Sequence, residues 1–228
     1  MADPLNDGIS DLSIIQHMGS DEIVVRAARI SYSKDMGKPY SEGGEGLIKY
    51  LLRNRHTSPL EHCMVTFHVA CPLFVRSQWH RHRTWAYNEV SRRYTTDEIQ
   101  FYHPRRWVNQ DIKNKQGSSG LVAPEYQVDS DLALRRIVDS SVKEYQDILG
   151  KGIAKEQARM ILPQNLYTRF YATASLHNIM HFVTLRSDPH AQYEIRVFSD
   201  AISEEMKKLF PISWAAYLEA RDGAAQAV

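Results

Sequence analysis

"MVTFHVACPLFVRSQWHRHRTWAYNEVSRRY", residues 64–94, changes its hydrophobic period within one run. Val65, Phe67 and Val69 alternate with polar neighbours, the period-two pattern of a half-buried strand. Pro72 suits the first turn of a helix, where its missing N–H costs nothing, and predicts that helix through "LFVRSQWHRHR", residues 73–83. Arg81 lies three residues after Gln78, so this helix would put both on one face. Read as a strand, "EVSRRY" (89–94) places Glu89, Ser91 and Arg93 on one side and Val90, Arg92 and Tyr94 on the other.

Working outward, "LSIIQHMG" (12–19) reads as a short strand and "SDEIVVRAARISYS" (20–33) as a helix capped by Ser20. The glycines and proline of "KDMGKPYSEGGEG" (34–46) predict a loop, followed by an amphipathic helix through "LIKYLLRNR" (47–55). Residues 109–124, "NQDIKNKQGSSGLVAP", lack apolar periodicity and read as a mobile surface loop. Leu134, Ile137, Val138, Val142, Tyr145 and Leu149 follow a helical period, as do Ile195, Phe198, Ile202, Met206 and Leu209. Between them, "LYTRFYATA" (166–174) has the aromatic and β-branched content of a strand leading into the helix "SLHNIMHFVTLR" (175–186). No repeat or linker divides the chain, so strands interspersed with helices predict a single α/β domain over residues 1–228.

Charge is concentrated within the opening stretch. From 72 to 96 five arginines (76, 81, 83, 92 and 93) face one acid, Glu89, in a chain whose formal net charge is only +1. Single arginines often make surface ion pairs, but five with one carboxylate repel one another unless an anion or an acidic partner offsets them. Amide, carboxylate, hydroxyl and guanidinium groups together suit a planar polar ring and a phosphate. The reading favoured is a nucleotide pocket. Near-neutral total charge argues against a protein that coats a polyanion. A rival remains, an RNA- or single-strand-binding module with Trp79, Trp85, Tyr87 and Tyr94 as stacking platforms.

Arg-His-Arg at 81–83, seven residues, then Ser91 matches the signature of the flavin-dependent thymidylate synthases. "HTSPLEH" (56–62), "ARMILPQNLYTRF" (158–170) and "LRSDPHAQYEI" (185–195) resemble segments of that family in its order. The resemblance runs over about residues 20 to 210. It implies an α+β domain with a mixed or antiparallel sheet flanked by helices, assembled as a homotetramer with shared active sites. It also implies methylation of dUMP to dTMP, with FAD as cofactor and NADPH and methylenetetrahydrofolate as co-substrates.

By this resemblance dUMP would be bound by Gln78, Trp79, His80, Arg81, Glu89, Val90, Ser91, Arg92, Arg93, Arg159 and Arg186. Arg159 would reach a nucleotide held mainly by another subunit. FAD would contact Ser58, Arg81, His82, Arg83, Glu89, Ser175, Leu176, His177 and His181. Arg186 matches the arginine that polarises the uracil, and His56 falls on the folate side. Ser175 and His177 stand where the family frequently has asparagine and arginine, and Arg92 is bulky for its place between Ser91 and Arg93.

Other readings of these residues have their own logic. Ser58-Pro59-Leu60-Glu61 forms a capping box by itself, and a helix N-terminus also favours anions. His177 and His181 have helical metal-ligand spacing, but no zincin glutamate or third ligand accompanies them, so no metal is expected. Ser91 has no assignable activating base, which favours hydrogen bonding over nucleophilic attack. Cys63 and Cys71 read as packing residues, and two cysteines without a disulfide framework fit a reducing cytoplasm. The first residues lack the basic and apolar runs of a signal peptide, and no membrane span is expected.

Overall fold

The computed structural model describes residues 2–33, 36–115 and 117–225. Lys34 and Asp35 of the expected 34–46 loop, and Gln116 of the 109–124 segment, lie outside them. Four strands, β1 (Asp11–Met18), β2 (Met64–Pro72), β3 (Ala86–Glu89) and β6 (Tyr167–Ser175), form one antiparallel sheet in the order β1-β2-β6-β3. The fold is therefore a single α+β domain with an antiparallel sheet and flanking helices.

Alternation decides which sheet face is buried. Val65, Phe67 and Val69 of β2 are completely buried, and Phe170, Ala172 and Ala174 of β6 almost completely. Over them pack α3 (Leu73–Trp79), α6 (Leu176–Arg186) and α7 (Tyr193–Leu209). The opposite face keeps its polar pairs: the Thr66 and Thr173 hydroxyls are 2.9 Å apart and His68 Nδ1 is 2.6 Å from Asp11 Oδ2. In α7 the expected stripe of Ile195, Phe198, Ile202 and Met206 is wholly buried.

The remaining helices close the domain. α1 (Asp21–Arg29) follows Gly19, whose φ of +94° and closeness to Cys63 both demand the absent side chain. Asp21 accepts the N–H groups of Ile212 and Ser213 at 2.9 Å each, capping α8 (Pro211–Ala225) from across the chain. Helix α2 (Gly44–Arg53) lies against α8, while α4 (Pro124–Gly150) and α5 (Lys155–Ala158) build a second, smaller cluster around Tyr145, Ala158, Leu162 and Leu166.

Several boundaries differ from expectation. α1 stops at Arg29, and the Ser20 hydroxyl makes no capping bond although Ser20 occupies the N-cap. α3 stops at Trp79 rather than Arg83, with Pro72 at its N-cap and still paired in β2. β3 ends at Glu89, so Ser91–Tyr94 is a turn and the two-sided strand of 89–94 does not form. Residues 109–124 are not a featureless loop: β4 (Val108–Gln110) pairs with β5 (Ser118–Leu121), and Pro124 already begins α4. That hairpin is solvent-exposed throughout its strands, which explains why its sequence shows no apolar alternation. Along α4 only Val138 and Tyr145 are buried, and Ile137 faces outward.

Candidate active site

The Arg-His-Arg segment takes its geometry from the aromatic core beneath it. Trp79 is fully buried, its ring 4.8 Å from Phe182, 5.6 Å from Phe170 and 5.8 Å from Phe198. Committing this side chain inward ends α3 and starts a tight turn, in which His82 N–H donates to Trp79 O at 3.0 Å. The Tyr87 hydroxyl braces the turn, 3.0 Å from the carbonyls of both Trp79 and His82. The result sorts the segment: His82 points in and is 6% exposed, whereas Arg81 and Arg83 point out. Neither arginine makes an ion pair or side-chain hydrogen bond among the described residues.

His82 meets the end of α6. Arg186 Nε donates to His82 Nε2 at 3.1 Å, and Arg186 Nη2 donates to Gln78 O at 3.1 Å. Burial, then the neighbouring charges of Arg186 and His181, lower the His82 pKa to about 4. At neutral pH the imidazole is therefore an acceptor, with its proton on Nδ1. Arg186, half-buried, is thus oriented by two neutral acceptors and no carboxylate. Its positive charge stays uncompensated by any ion pair among the described residues.

A second group of residues lines an open cleft of about 450 Å³ on the other side of α3. Arg76, Glu89, Val90, Ser91, Arg92, Arg159 and Thr168 all contribute to it. Arg76 Nε stands 3.2 Å from Glu89 Oε1, near enough for charge attraction though off the line of a hydrogen bond. Thr168 Oγ1 donates to the same carboxylate oxygen at 2.7 Å. Ser91 Oγ accepts the Arg93 N–H at 3.2 Å, and Arg93 pairs with Glu156 at 3.3 Å. Arg159 is exposed, its Nε donating to Glu156 O at 3.3 Å.

Two residues apart on a helix is about 200° of rotation, so Arg76 and Gln78 leave α3 in nearly opposite directions. Gln78 accordingly turns away from the cleft, its amide bonded to Gln192, while Arg76 lies in it. The expected dUMP residues are thereby divided within one chain: Glu89, Val90, Ser91, Arg92 and Arg159 on one side, Gln78 and Arg186 on the other. Expected flavin residues divide likewise. Glu89 lines the cleft, whereas the His181 ring is 6.0 Å from His82 on the Arg186 side.

The other expected site residues fall as follows. His56 and Ser58 are exposed, with His56 edge-on to Tyr50 at 5.8 Å. Ser58 begins a short 3-10 helix, Ser58–His62, whose N-cap is Thr57 without a side-chain bond, so no capping box forms. Ser175 does cap: its hydroxyl accepts the Asn178 N–H at 3.3 Å at the start of α6. On that helix His177 is partly exposed and His181 exposed. Leu176 and Trp79 are completely buried, so neither presents a side chain to a ligand. His80 packs on Tyr87 with ring centroids 4.1 Å apart, and burial holds its pKa down. Cys63 and Cys71 are completely buried; burial pushes the Cys63 thiol up to about 11 and Cys71 upward too, so neither is a ready thiolate. The buried Trp79 and Trp85 also remove two of the four stacking platforms that a single-strand binder would need.

Two contributors, Thr168 and Gln192, escape the sequence reading, and the role of a third, Arg76, is only partly legible. Thr168 is a hydroxyl on the otherwise apolar inward face of β6, an anomaly of alternation that marks it. Gln192 carries no such mark, because it is defined by a partner distant in sequence, and Arg76 is marked only as a member of the charge cluster, not by its pairing with Glu89.

The donor set fits a flavin nucleotide: two outward arginines without ion-pair partners among the described residues, together with the accessible His177 and His181, suit a diphosphate. Comparisons with known proteins point the same way. Residues 13–212 match the family model described as thymidylate synthase complementing protein. The chain is 42% identical to the flavin-dependent thymidylate synthase of Thermus thermophilus over 96% of its own length and 80% of the relative's. With that of Wolbachia pipientis wMel it shares 40% identity, over 91% of this chain and 73% of the relative. A crystal structure of the UMP/dUMP methylase PolB from Streptomyces cacaoi, bound with 5-Br dUMP, superposes with a TM-score of 0.84 at 33% identity, covering 93% of this chain and 96% of that one.

Proposed function

This chain belongs to the flavin-dependent thymidylate synthases, and on that premise we propose that it methylates dUMP to dTMP in the cytoplasm, in one domain spanning residues 1–228. Methylenetetrahydrofolate supplies the carbon, and FAD reduced by NADPH supplies the hydride. The observation that carries this reading is Arg186, a half-buried cation held by His82 and Gln78 O without a neutralising acid among the described residues. Such a charge stabilises negative charge as it develops on the pyrimidine, and its neutral acceptors do not dilute it. Neutral His82 fixes the direction of the guanidinium, since a protonated imidazole would repel it.

In this reading Glu89, Ser91, Arg93 and Arg159 of one subunit hold the nucleotide together with Gln78, Arg81 and Arg186 of a neighbour. The division of these residues across α3 supports that arrangement, because one chain alone leaves them on opposite sides. A homotetramer joins the two sets. Arg81, Arg83, His177 and His181 serve the flavin, with Ser175 and Leu176 contributing through the start of α6, and His56 and Ser58 lie toward the folate.

Single-turnover conversion of dUMP by pre-reduced enzyme at saturating nucleotide tests the role of Arg186. Arg186→Ala should slow methylation by about 10²–10³-fold, the loss typical of one charge-stabilising donor, while flavin reduction by NADPH persists. An Arg186→Ala enzyme that methylates normally overturns the reading. Mixed oligomers of Arg81→Ala and Arg159→Ala, each inactive alone, should regain activity; none in verified mixtures refutes the shared site.

A further inference from the structure

Family resemblance puts Arg92 on the nucleotide, yet its guanidinium already makes two bonds within its own loop. It donates from Nη1 to Asp97 O and from Nη2 to Glu98 O, the latter at 2.9 Å. Both acceptors are main-chain carbonyls of the loop that Arg92 itself begins. Glu98 has a φ of +52°, a conformation that a side chain disfavours, so the loop end needs outside support. It has support twice over, because Arg169 pairs with the Glu98 carboxylate while Arg92 takes the Glu98 carbonyl.

The front of the same loop is tied elsewhere. Lys155 Nζ donates to Tyr94 O at 3.2 Å, and Arg93 pairs with Glu156 at 3.3 Å. Lys155 and Glu156 belong to α5, the turn of helix that leads directly into Arg159. Residues 91–98 are therefore a strut with two fixed ends. One is the Arg92 clasp; the other is the segment bearing Arg159. Ser91 and Arg159 line the same cleft, so their separation depends on this strut staying closed.

We propose that Arg92 is a positioning residue that clasps the 91–98 loop through the Asp97 and Glu98 carbonyls and so sets Ser91 against Arg159 before the nucleotide arrives. The inference rests on the reading of the cleft as part of the dUMP site. The two bonds to the loop use one N–H of each terminal nitrogen, which makes Arg92 part of the loop's own frame; the Lys and Gln variants separate that role from a grip on the phosphate. Exposed Arg159, by contrast, keeps its own terminal nitrogens without a partner among the described residues.

The test uses the flavin-loaded, full-length protein and reads it first without nucleotide. Hydrogen exchange of the 94–98 amides should rise about tenfold or more in Arg92→Ala, the loss of one or two hydrogen bonds, with α6 unchanged as an internal control. In steady state the KM for dUMP should rise by about tenfold, with kcat nearly retained. Arg92→Gln, which keeps N–H donors without charge, should recover part of both effects and serves if Arg92→Ala folds poorly. A residue that gripped the phosphate would give the opposite pattern: unchanged exchange in the ligand-free protein, weaker dUMP binding, and rescue by Arg92→Lys but not Arg92→Gln. That pattern overturns the proposal, as does looser exchange with an unchanged KM. Should the unaltered protein fail to bind dUMP at all, the nucleotide-site reading falls, while the exchange comparison still judges the clasp.

Discussion

The two faces of α3 hold arginines by opposite means. On one, Arg76 sits near Glu89 and Arg92 on loop carbonyls in an open cleft, with Arg93 of the adjoining loop paired to the exposed Glu156. On the other, Arg186 is held by one carbonyl and one neutral histidine, whose ring packs 4.7 Å from Phe182 in the aromatic cluster around Trp79. The first arrangement neutralises Arg76 and Arg93 locally, though not Arg92, and tolerates adjustment, because exposed ion pairs contribute little individually. The second leaves charge uncompensated and depends on the packing below it. On the proposed reading a phosphate in the open cleft is met by Arg159, whose terminal nitrogens have no partner among the described residues; stabilising a reacting ring asks for a charge held still, as on the other face.

The sharpest way to break this contrast is to remove the packing. Trp79 is completely buried among Phe170, Phe182 and Phe198. Trp79→Ala should cost about 3–5 kcal/mol by chemical denaturation, the usual range for emptying a large aromatic site. The damage should fall on the Arg186 side as a loss of folded protein. If stability changes by less than about 1 kcal/mol, the turn that aims His82 is not built on this cluster.

Acid sharpens the contrast next. The folded pKa of His82 lies near 4, below its ordinary value of 6.5. Between those two pH values the unfolded chain binds a proton that the folded protein refuses. Stability therefore falls as pH drops through this window and is insensitive to His82 above it. The full shift corresponds to an upper limit of about 3 kcal/mol. His82→Gln keeps an acceptor for Arg186 but cannot titrate, so its stability should decline less between pH 6.5 and 4. Equal acid sensitivity in the two proteins would place the effect elsewhere.

Why one face is legible in sequence and the other only partly follows from the same physics. β2, β6, α6 and α7 announce themselves because burial imposes a regular period on Val65, Phe67, Val69, Ile195, Phe198 and Ile202. The β4–β5 hairpin escapes because neither strand buries a face, so nothing constrains its pattern. α3 reads too long for a different reason. Arg81, His82 and Arg83 are acceptable helix formers, and only the inward commitment of Trp79 and the Tyr87 brace end the helix. Likewise, Arg76, Arg81, Arg83, Arg92 and Arg93 form one charge cluster in sequence, but the fold gives them different tasks. Partners such as Glu156, Arg169 and Gln192 lie too far along the chain for local spacing to find them.

The smallest expected effect belongs to Ser91. Its carbonyl accepts the N–H groups of Tyr94 at 3.0 Å and Thr95 at 3.3 Å, and its hydroxyl accepts that of Arg93 at 3.2 Å. No histidine or carboxylate is bonded to Ser91 Oγ among the described residues, so no base is in place to activate it as a nucleophile. The turn survives on its main-chain bonds when the hydroxyl is removed. What Ser91→Ala loses is one neutral hydrogen bond to the loop or to the nucleotide, about 0.5–1.5 kcal/mol or roughly tenfold. That loss should enter the KM for dUMP, leaving single-turnover methylation at saturating nucleotide nearly intact. A dead Ser91→Ala enzyme with an ordered 91–98 loop would move the serine from binding to chemistry. It would also mean that the open cleft, and not the half-buried arginine beyond α3, carries the reacting atoms.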